Sequence, residues 1–270
     1  MLYPRIIPTL LIHQKGLVKT QRFKDPKYVG DPINAVKIFN EKEVDEIIVL
    51  DIDRSRFGTE PDYGLIEKLA YECRMPLCYG GGIKTAEQAQ RVFSLGVEKI
   101  AVGSLAVENP SMISKIAEKV GNQSVVVVMD VKKKKFSSKY EICIVNGSRS
   151  TNLDPADYAI TMQNEGAGEI VINSIDHDGM MNGYDINLIR KVREGISIPM
   201  TVMGGAGSIE HFGEVIKEHG IIGAAAGSLF VFKGKYRAVL INYPTKLEKH
   251  NLIQEYFDRA QKISNTTKYH

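Results

Sequence analysis

An internal repeat constrains this chain more strongly than any other feature of its sequence. Residues 76–107 read PLCYGGGIKTAEQAQRVFSLGVEKIAVGSLAV, and residues 199–231 read PMTVMGGAGSIEHFGEVIKEHGIIGAAAGSLFV. Both segments carry a glycine-rich turn near their start and a Gly-Ser-Leu sequence near their end. Glu46 and Glu169 extend the match upstream in the same register. A unit that occurs twice over this length predicts a fold built from two homologous halves.

Short β-branched runs alternate with helical stretches, which is typical of parallel βαβ units. We predict eight strands, four in each half of the repeat: Ile6–Ile12, Glu46–Ile52, Leu77–Tyr79, Lys99–Val102, Ser124–Val131, Glu169–Asn173, Met200–Met203 and Ile222–Ala226. The predicted fold class is α/β, a (β/α)8 TIM barrel built from two homologous half-barrels. One domain covers residues 1–270, with half-barrels at about 1–120 and 121–246, and with a C-terminal helix and polar tail at 247–270.

Capping residues before prolines predict where several helices begin: Asp31-Pro32, Asn109-Pro110 and Asp154-Pro155, together with a capping box at Thr85 and Gln88. Between Lys132 and Asn152 the strand and helix pattern breaks, and Asn146-Gly147 predicts a hairpin turn. We interpret the lysine run from Lys132 to Lys135 as a solvated loop in preference to a phosphate- or partner-binding patch.

Composition excludes several function classes. The 35 Lys and Arg residues are spread along the chain with 32 Asp and Glu residues, so no nucleic-acid footprint or membrane-binding face is expected. No apolar stretch is long enough to span a bilayer. Three cysteines without metal-ligand spacing and six scattered histidines predict no disulfide framework, no metal and no cofactor. These features favour a reduced, cytoplasmic location.

Each half of the repeat contains a candidate phosphate site, because a glycine-rich turn and a helix N-terminus offer backbone N–H groups to an anion. The first site comprises Gly81, Gly82, Gly103 and Ser104, and the second comprises Gly204, Gly205, Gly227 and Ser228. Glycine that serves only a tight turn is the alternative, but the repeated pairing with Gly-Ser favours phosphate binding. Two such sites across one barrel mouth predict an elongated small molecule with a phosphate at each end.

Candidate acids and bases follow the strands, where barrel enzymes place their catalytic groups. Asp51 ends the second strand, Asp130 ends the fifth, and Asp176 and Asp178 follow the sixth. A helix cap or a loop salt bridge is the alternative for each, and the very apolar strand before Asp130 favours function there. At the opposite strand ends lie four charged residues, Arg5, Glu46, Lys99 and Glu169, whose pattern alone favours a salt-bridged plug of the barrel floor.

Taken together, these residues resemble the HisF-type cyclase subunit of imidazole glycerol phosphate synthase. The similarity covers nearly the whole chain and rests on Arg5-Ile6-Ile7, Gly30-Asp31-Pro32, Tyr79-Gly80-Gly81-Gly82-Ile83, Ala106-Val107-Glu108-Asn109-Pro110, Ser174-Ile175-Asp176, Asp178-Gly179, Gly204-Gly205-Ala206-Gly207 and Gly227-Ser228. The sister barrel, the HisA-type isomerase, shares the repeat and the phosphate turns. An isomerase admits no ammonia, so the charged ring favours the HisF type.

The resemblance implies a partner, a HisH-type glutaminase subunit that docks on the N-terminal face of the barrel and releases ammonia into it. The charged ring then acts as the ammonia gate, which reverses our preference for a plug. The implied reaction of histidine biosynthesis is a lyase and cyclase step. It converts phosphoribulosyl formimino carboxamide ribonucleotide and ammonia to imidazole glycerol phosphate and aminoimidazole carboxamide ribotide. The family's catalytic aspartate on strand five matches Asp130, and its substrate-binding lysine and strand-six acid match Lys19 and Asp178.

Two positions depart from the family pattern. Leu11 stands where the family has a second catalytic aspartate, and a leucine transfers no proton. Loss of a general acid or base costs about 10²–10⁴-fold in rate. Gly103 stands where the family carries a polar side chain near a phosphate.

A HisF-like subgroup associated with surface-polysaccharide (lipopolysaccharide) synthesis matches the chain further. The matching segments are Ile6-Ile7-Pro8, Leu10-Leu11, Gly16-Leu17-Val18-Lys19-Thr20, Lys27-Tyr28-Val29-Gly30 and Gly227-Ser228-Leu229-Phe230-Val231-Phe232. In that subgroup the barrel is thought to supply ammonia for amidination of a sugar by a third protein, a sugar amidotransferase. The alternatives to the cyclase are therefore a non-cyclising ammonia conduit and, third, a phosphoribosyl isomerase.

Overall fold

A computed structural model describes residues 3–135 and 137–255 of the chain. Eight parallel strands close into a barrel with helices on its outside, which confirms the predicted (β/α)8 fold. Each observed barrel strand lies within two residues of its predicted bounds. The boundaries of the two half-barrels stay a prediction.

The strands are numbered in chain order: β1 (Arg5–His13), β2 (Gly16–Gln21), β3 (Lys24–Gly30), β4 (Ile47–Asp51), β5 (Leu77–Gly80), β6 (Lys99–Val102), β7 (Val125–Lys133), β8 (Tyr140–Ile144), β9 (Arg149–Ser150), β10 (Glu169–Ser174), β11 (Met200–Met203), β12 (Gly223–Ala226), β13 (Phe232–Lys233) and β14 (Ala238–Val239). The barrel order is β1, β4, β5, β6, β7, β10, β11 and β12, and β12 pairs with β1 to close it.

The helices are α1 (Pro32–Glu41), α2 (Ile52–Phe57), α3 (Tyr63–Glu72), α4 (Ala86–Ser94), α5 (Ser104–Glu108), α6 (Ser111–Val120), α7 (Pro155–Asn164), α8 (Ile186–Arg193), α9 (Ile209–His219) and α10 (Ser228–Val231). Residues 246–255 are also helical, and the hydroxyl of Thr245 accepts a hydrogen bond from the Glu248 N–H at 3.2 Å. The rest of the predicted polar tail lies outside the described residues. Within the described ranges, no helix has the length and apolar character needed to cross a membrane.

Side chains of the barrel strands alternate between the interior and the helical layer, as the period of a β-strand requires. The outward set packs against the helices in one large cluster that includes Ile6, Phe39 and Phe212. The inward set forms a second cluster, which we call the apolar layer: Ile7, Ile48, Cys78, Ala101, Val126, Val171, Met203 and Ala225. The barrel interior is therefore filled at mid-height by side chains.

Three hairpins rise from the C-terminal ends of the strands. The first pairs β2 with β3, the second extends β7 through β8 and β9, and the third pairs β13 with β14. The second confirms the turn predicted at Asn146-Gly147, which connects β8 to β9. One interpretation was wrong, since Lys132 and Lys133 belong to strand β7, where they pair with β8.

The β2–β3 hairpin was not predicted. Its two-residue turn places Arg22 and Phe23 at φ of 52° and 63°, the left-handed conformation for which Asn-Gly or Asp-Gly is the usual sequence signal. Neither residue type is present at this turn, so the sequence gives no local sign of it.

Helix capping agrees with the sequence at three positions and differs at one. Asp31, Thr85 and Asp154 each accept a hydrogen bond from a backbone N–H in the first turn of α1, α4 and α7. The prediction for Asn109 was wrong, because α6 begins at Ser111 and the Asn109 side chain caps no N–H group. Helix α5 runs almost directly into α6, and the Asn109 side chain instead accepts a hydrogen bond from the Ser111 hydroxyl at 2.9 Å.

This difference makes a testable pair of substitutions. Asp31→Ala removes a hydrogen bond of 2.8 Å to the Asn34 N–H and is expected to lower the free energy of unfolding by about 1 kcal/mol. Asn109→Ala removes no cap, so its loss should stay within about 0.5 kcal/mol. Urea denaturation of both variants measures the difference, and equal losses would contradict the capping assignment.

Candidate active site

Four charged side chains close the N-terminal end of the barrel. Arg5 forms ion pairs with Glu46 and with Glu169, the latter at 2.7 Å, and Lys99 lies 2.9 Å from a carboxylate oxygen of each glutamate. The strands that carry these residues are not all neighbours, so the pairs span the barrel interior. We call these four residues the charged ring. The structure thus brings together all four residues that the sequence singled out at this end.

Charge neutralisation within the ring is strong. Both glutamate side chains are buried, whereas Arg5 and Lys99 keep 25% and 20% of their side chains exposed. Burial alone would raise the pKa of Glu169, but Arg5 and Lys99 outweigh it and lower that pKa to about 2. The two cations are therefore the only ring members with appreciable access to the outside of the floor.

The apolar layer separates the charged ring from the opposite end of the barrel. Strand alternation places Ile7 after Arg5, Ile48 after Glu46, and Val171 after Glu169 on the inward face. Burial raises the pKa of the Cys78 thiol well above its usual value, so that thiol is neutral. A molecule that enters through the ring next meets uncharged, mostly hydrocarbon surface.

A pocket opens above the apolar layer, at the C-terminal ends of the strands. Its floor includes Ala101 and Met203 of the apolar layer, so one layer of side chains lies between ring and pocket. The predicted site residues in its lining are Leu11, Lys19, Asp51, Gly81, Gly103, Ser104, Asp130, Asp178, Gly204, Gly205, Gly227 and Ser228. Gly82 is not in the lining; it packs beside Arg54 and the backbone of Thr59.

Asp130 is the carboxylate best placed for proton transfer. Burial, with a smaller contribution from the negative charge of Asp178, raises the pKa of Asp130 to about 7, although a hydrogen bond of 2.9 Å from the Asn173 amide opposes this shift. A group that titrates near neutral pH can act as an acid or as a base. The pKa of Asp178 is also raised by burial, and its carboxylate accepts hydrogen bonds from the Thr20 hydroxyl and the Phe23 N–H.

Lys19 reaches the pocket from β2 and not from an irregular loop. It is 5% exposed, its ammonium donates to the Thr9 carbonyl oxygen, and burial lowers its pKa to about 8. A Cβ added at Gly227 would lie 2.6 Å from the Lys19 nitrogen. A cation in contact with the Gly227-Ser228 turn is an arrangement that suits an anionic ligand.

The two glycine-rich turns also have a structural reason for their glycines. Gly81 and Gly204 have φ of 134° and 89°, and a Cβ on either would lie 2.6 Å from the carbonyl oxygen of Asp51 or Ser174. The repeat therefore preserves a close approach between the turn and the end of the preceding strand. These glycines would be needed even without a ligand.

The pocket is asymmetric because the second hairpin bends over its first half. The Val145 N–H donates to the Ser104 hydroxyl at 3.1 Å, and the Asn146 amide donates to the Ile52 carbonyl at 2.9 Å. At Gly103 an added Cβ would make only ordinary contact, at 3.6 Å from Val128, so packing does not require glycine there. The first candidate phosphate site thus has its hydroxyl engaged and no side chain at residue 103.

Asp51 has a structural role that the sequence analysis gave as its alternative. Its carboxylate caps α2 through the N–H groups of Asp53 and Arg54 and pairs with the Arg54 guanidinium at 3.1 Å. Burial raises the pKa of Asp51, with Arg54 opposing the shift. Asp51 therefore contributes to the wall of the pocket while its oxygens are already engaged.

Leu11 lies in the pocket wall, and its strand neighbours are Val18 and Leu50. No carboxylate occurs on β1, so Asp130 is not matched by a carboxylate from the corresponding strand of the first half. The pair of carboxylates that could hold opposite protonation states is reduced to one.

Two polar residues of the lining were missed by the sequence analysis. Thr9 and Asn173 are 3% and 5% exposed, and the Thr9 hydroxyl and the Asn173 amide oxygen are buried without a hydrogen-bond partner. Each occupies the inward position just above the apolar layer. Their sign in the sequence is a polar residue within an otherwise apolar strand. Such a residue can be assigned to the barrel interior only when the strand register is known.

Among the described residues, no group of three or more His, Cys, Asp or Glu side chains could hold a metal ion. The histidines near the strand ends have structural partners. His13 pairs with Asp53 at 2.7 Å, and His177 contacts the Gly183 carbonyl oxygen at 2.8 Å.

Comparison with known proteins finds one matching family and several relatives with names that agree with it. The family described as "Histidine biosynthesis protein" matches residues 5–237. A Vibrio vulnificus (strain YJ016) protein, provisionally named imidazole glycerol phosphate synthase subunit hisF3, is 55% identical over 254 residues, which cover 94% of this chain and 98% of the relative. A Leptospira borgpetersenii protein, provisionally named as the HisF subunit, is 58% identical and covers 93% and 99%. The HisF subunit of Clostridium botulinum (strain Langeland) is 38% identical and covers 86% and 92%.

The charged ring predicts a pH-dependent stability. Because the folded-state pKa of Glu169 is lowered to about 2, the stabilisation is present above its unfolded pKa and is lost as pH falls through about 4.5 toward 2. Glu169→Gln should lose on the order of 3 kcal/mol at pH 7, and its difference from the unaltered protein should shrink between pH 5 and pH 3. Urea unfolding over that range measures it. Glu67→Gln, on the exposed side of α3, is the matched control, and a pH-independent difference would contradict the ring assignment.

Proposed function

Because this chain belongs to the histidine biosynthesis protein family, we propose that it is the barrel subunit of a glutamine amidotransferase complex, similar to the HisF subunit of imidazole glycerol phosphate synthase. A HisH-type glutaminase docks on its N-terminal face and supplies ammonia. The ammonia crosses the charged ring and the apolar layer and reaches the pocket at the opposite end. The observation that carries this proposal is the four-membered charged ring, one layer of side chains below the pocket.

The order of charges suits neutral ammonia better than ammonium. Arg5 and Lys99 are the exposed members of the ring and repel a cation that approaches the floor. The apolar layer beyond them makes a buried charge costly, whereas neutral ammonia has no such penalty. Passage requires one cation to move aside, and Lys99 is the simpler candidate because its two contacts come from a single flexible ammonium group.

The pocket binds a phosphorylated small molecule in this proposal. Lys19 and the turns at Gly204-Gly205 and Gly227-Ser228 hold one phosphate, and the close approach of the Lys19 nitrogen to Gly227 supports that role. Gly81, Gly103 and Ser104 line the other end, where the engaged Ser104 hydroxyl favours a weaker anion contact. Asp130 is the proposed catalytic acid or base.

Two fates for the ammonia are open to such a barrel. The first is the family's cyclase reaction, which yields imidazole glycerol phosphate and aminoimidazole carboxamide ribotide. The second is export of ammonia to a separate sugar amidotransferase in surface-polysaccharide synthesis. Leu11 in the pocket wall favours export, because the family's cyclase uses an aspartate on strand one and an aspartate on strand five, and of these two positions only Asp130 is a carboxylate here. The charged ring disfavours the isomerase alternative.

Turnover of the formimino ribonucleotide with saturating ammonium salt tests the fate of ammonia. We expect the purified barrel to form product about 10²–10⁴-fold more slowly than Leu11→Asp, because the variant restores a second acid or base opposite Asp130. Leu50→Asp is the matched control, since Leu50 is the strand neighbour of Leu11 and lines the same pocket. It should not gain activity.

Product from the unaltered barrel at the rate of Leu11→Asp would instead establish a cyclase and overturn export. Absence of product from both proteins would show that the pocket serves a different acceptor.

The gate has its own test in the complex with the glutaminase. Lys99→Met leaves the two ring glutamates with Arg5 as their only cation, so the ring becomes net negative and holds ammonium at the floor instead of repelling it. Glutamine-dependent product formation should therefore fall at least tenfold, while ammonia-dependent formation changes little. The two rates are measured with the acceptor that the turnover experiment establishes. Lys115→Met, on the outside of α6, is the control. Equal loss with both nitrogen sources would return the ring to a structural plug.

A further inference from the structure

The positive charge of this chain is concentrated on one face. The three hairpins at the C-terminal end of the barrel, which we call the hairpin face, comprise residues 14–30, 132–152 and 232–240. They contain fourteen of the 35 Lys and Arg residues, thirteen of them besides the buried Lys19, and only two of the 32 Asp and Glu residues. The rest of the chain is therefore net negative, although the formal net charge of the whole is +3.

The hairpins form one surface because they contact a common loop. The Arg237 guanidinium donates to the Gly179 carbonyl oxygen at 2.6 Å, and Arg22 donates to the Asp176 carbonyl oxygen at 3.2 Å. The Lys133 N–H donates to the Asp176 carboxylate at 2.9 Å. Residues 176–179, which follow β10, thus join all three hairpins around the pocket mouth.

The first and third hairpins also share an aromatic support. The Lys27 ammonium and the Arg237 guanidinium each lie 5.4 Å from the centre of the Phe232 ring. These cation–π contacts hold basic groups of two hairpins beside each other. The positive surface is therefore continuous from the first hairpin to the third.

Exposed aromatic and apolar side chains lie among the basic groups. Tyr28 and Tyr236 are 66% and 89% exposed, and Val239 and Leu240 are about half exposed. Cations alone suffice to bind a phosphate group, and tyrosine can also stack on a nucleobase, but tyrosine and arginine beside exposed apolar side chains are typical of protein interfaces. The composition of the face favours a protein over another polyanion.

We propose that the hairpin face docks an acidic protein, the amidating enzyme that receives ammonia from the pocket. This inference rests on the proposed export of ammonia, because a pocket that consumes its own ammonia needs no acceptor at its mouth. Complementary charge would steer the partner to the face, and the exposed tyrosines would supply contact area. A partner seated there would also shield the pocket mouth from solvent.

Charge reversal on each hairpin tests the docking surface without touching the pocket. The variant Lys24→Glu/Lys133→Glu/Lys235→Glu changes one exposed lysine per hairpin, and none of the three lines the pocket. Its matched control is Lys68→Glu/Lys115→Glu/Lys217→Glu, which makes the same charge change at exposed positions on α3, α6 and α9. Both variants alter net charge equally, so any difference reports position.

The partner is first obtained by zero-length carbodiimide cross-linking in cells that make the full complex, and is then purified as the probe. We expect cross-links from hairpin lysines to carboxylates of a protein with sugar-amidating activity. Its Kd for the unaltered barrel, at 0.15 M salt, should rise at least tenfold in the hairpin variant and stay within about twofold in the control. Affinity for the unaltered barrel should fall as salt increases.

Three results would overturn the inference. One is equal weakening, or none, in the two variants; another is the absence of any cross-linked protein from the hairpin lysines. The third is that a single-stranded RNA or phosphatidylglycerol vesicles bind the hairpin face while no protein does.

The same preparations keep this inference separate from the proposed function. Complex formation with the glutaminase and its glutamine hydrolysis are measured for the unaltered barrel and both variants. Failure of the unaltered barrel to bind a glutaminase would refute the proposed function directly. If the glutaminase binds normally and the partner binds the hairpin variant as tightly as the control, the docking surface alone would be refuted.

Discussion

Closure of the eight-stranded sheet is the constraint on which the rest of this molecule depends. Once β12 pairs with β1, every second residue of each barrel strand must point into a single narrow interior. Four of these inward positions at the N-terminal end carry charges, and on their inner side they meet the apolar layer. The charges therefore neutralise one another across the barrel, and the next inward position on each strand is apolar. The charged ring and the apolar layer both follow from the same strand register, which places their residues at successive inward positions.

Electrostatics differ sharply between the two ends of the barrel. At the floor, each carboxylate has two cationic partners, and the pKa of Glu169 falls to about 2. In the pocket, burial raises the pKa of Asp130 to about 7, and only the hydrogen bond from the Asn173 amide opposes this shift. Glu169 is thus held in its charged form. Asp130 exchanges a proton near neutral pH, which is the property that a chemical step would use.

The sequence predicted the barrel and most of its site because both depend on local patterns. The repeat, the apolar runs and the glycine turns located the barrel strands within two residues. Of the twelve glycine, serine, acidic and lysine residues predicted for the site, eleven line the pocket. Gly82 lies outside the lining because adjacent residues of a turn face different neighbours. Thr9 and Asn173 were missed because an inward polar side chain looks like any other until the strand register is known, and the β2–β3 hairpin was missed because its turn has no glycine.

The two ends of the barrel can change independently even though one strand carries parts of both. Arg5 and Leu11 lie on β1 six residues apart, a separation of about 20 Å along the strand. At that distance, with buried hydrocarbon between them, a substitution at residue 11 leaves the ion pairs of Arg5 intact. A chain can therefore keep its charged ring while it loses a proton-transfer group in the pocket. The concentration of lysine and tyrosine on the hairpins around that pocket is consistent with chemistry that has moved from the barrel to a bound partner.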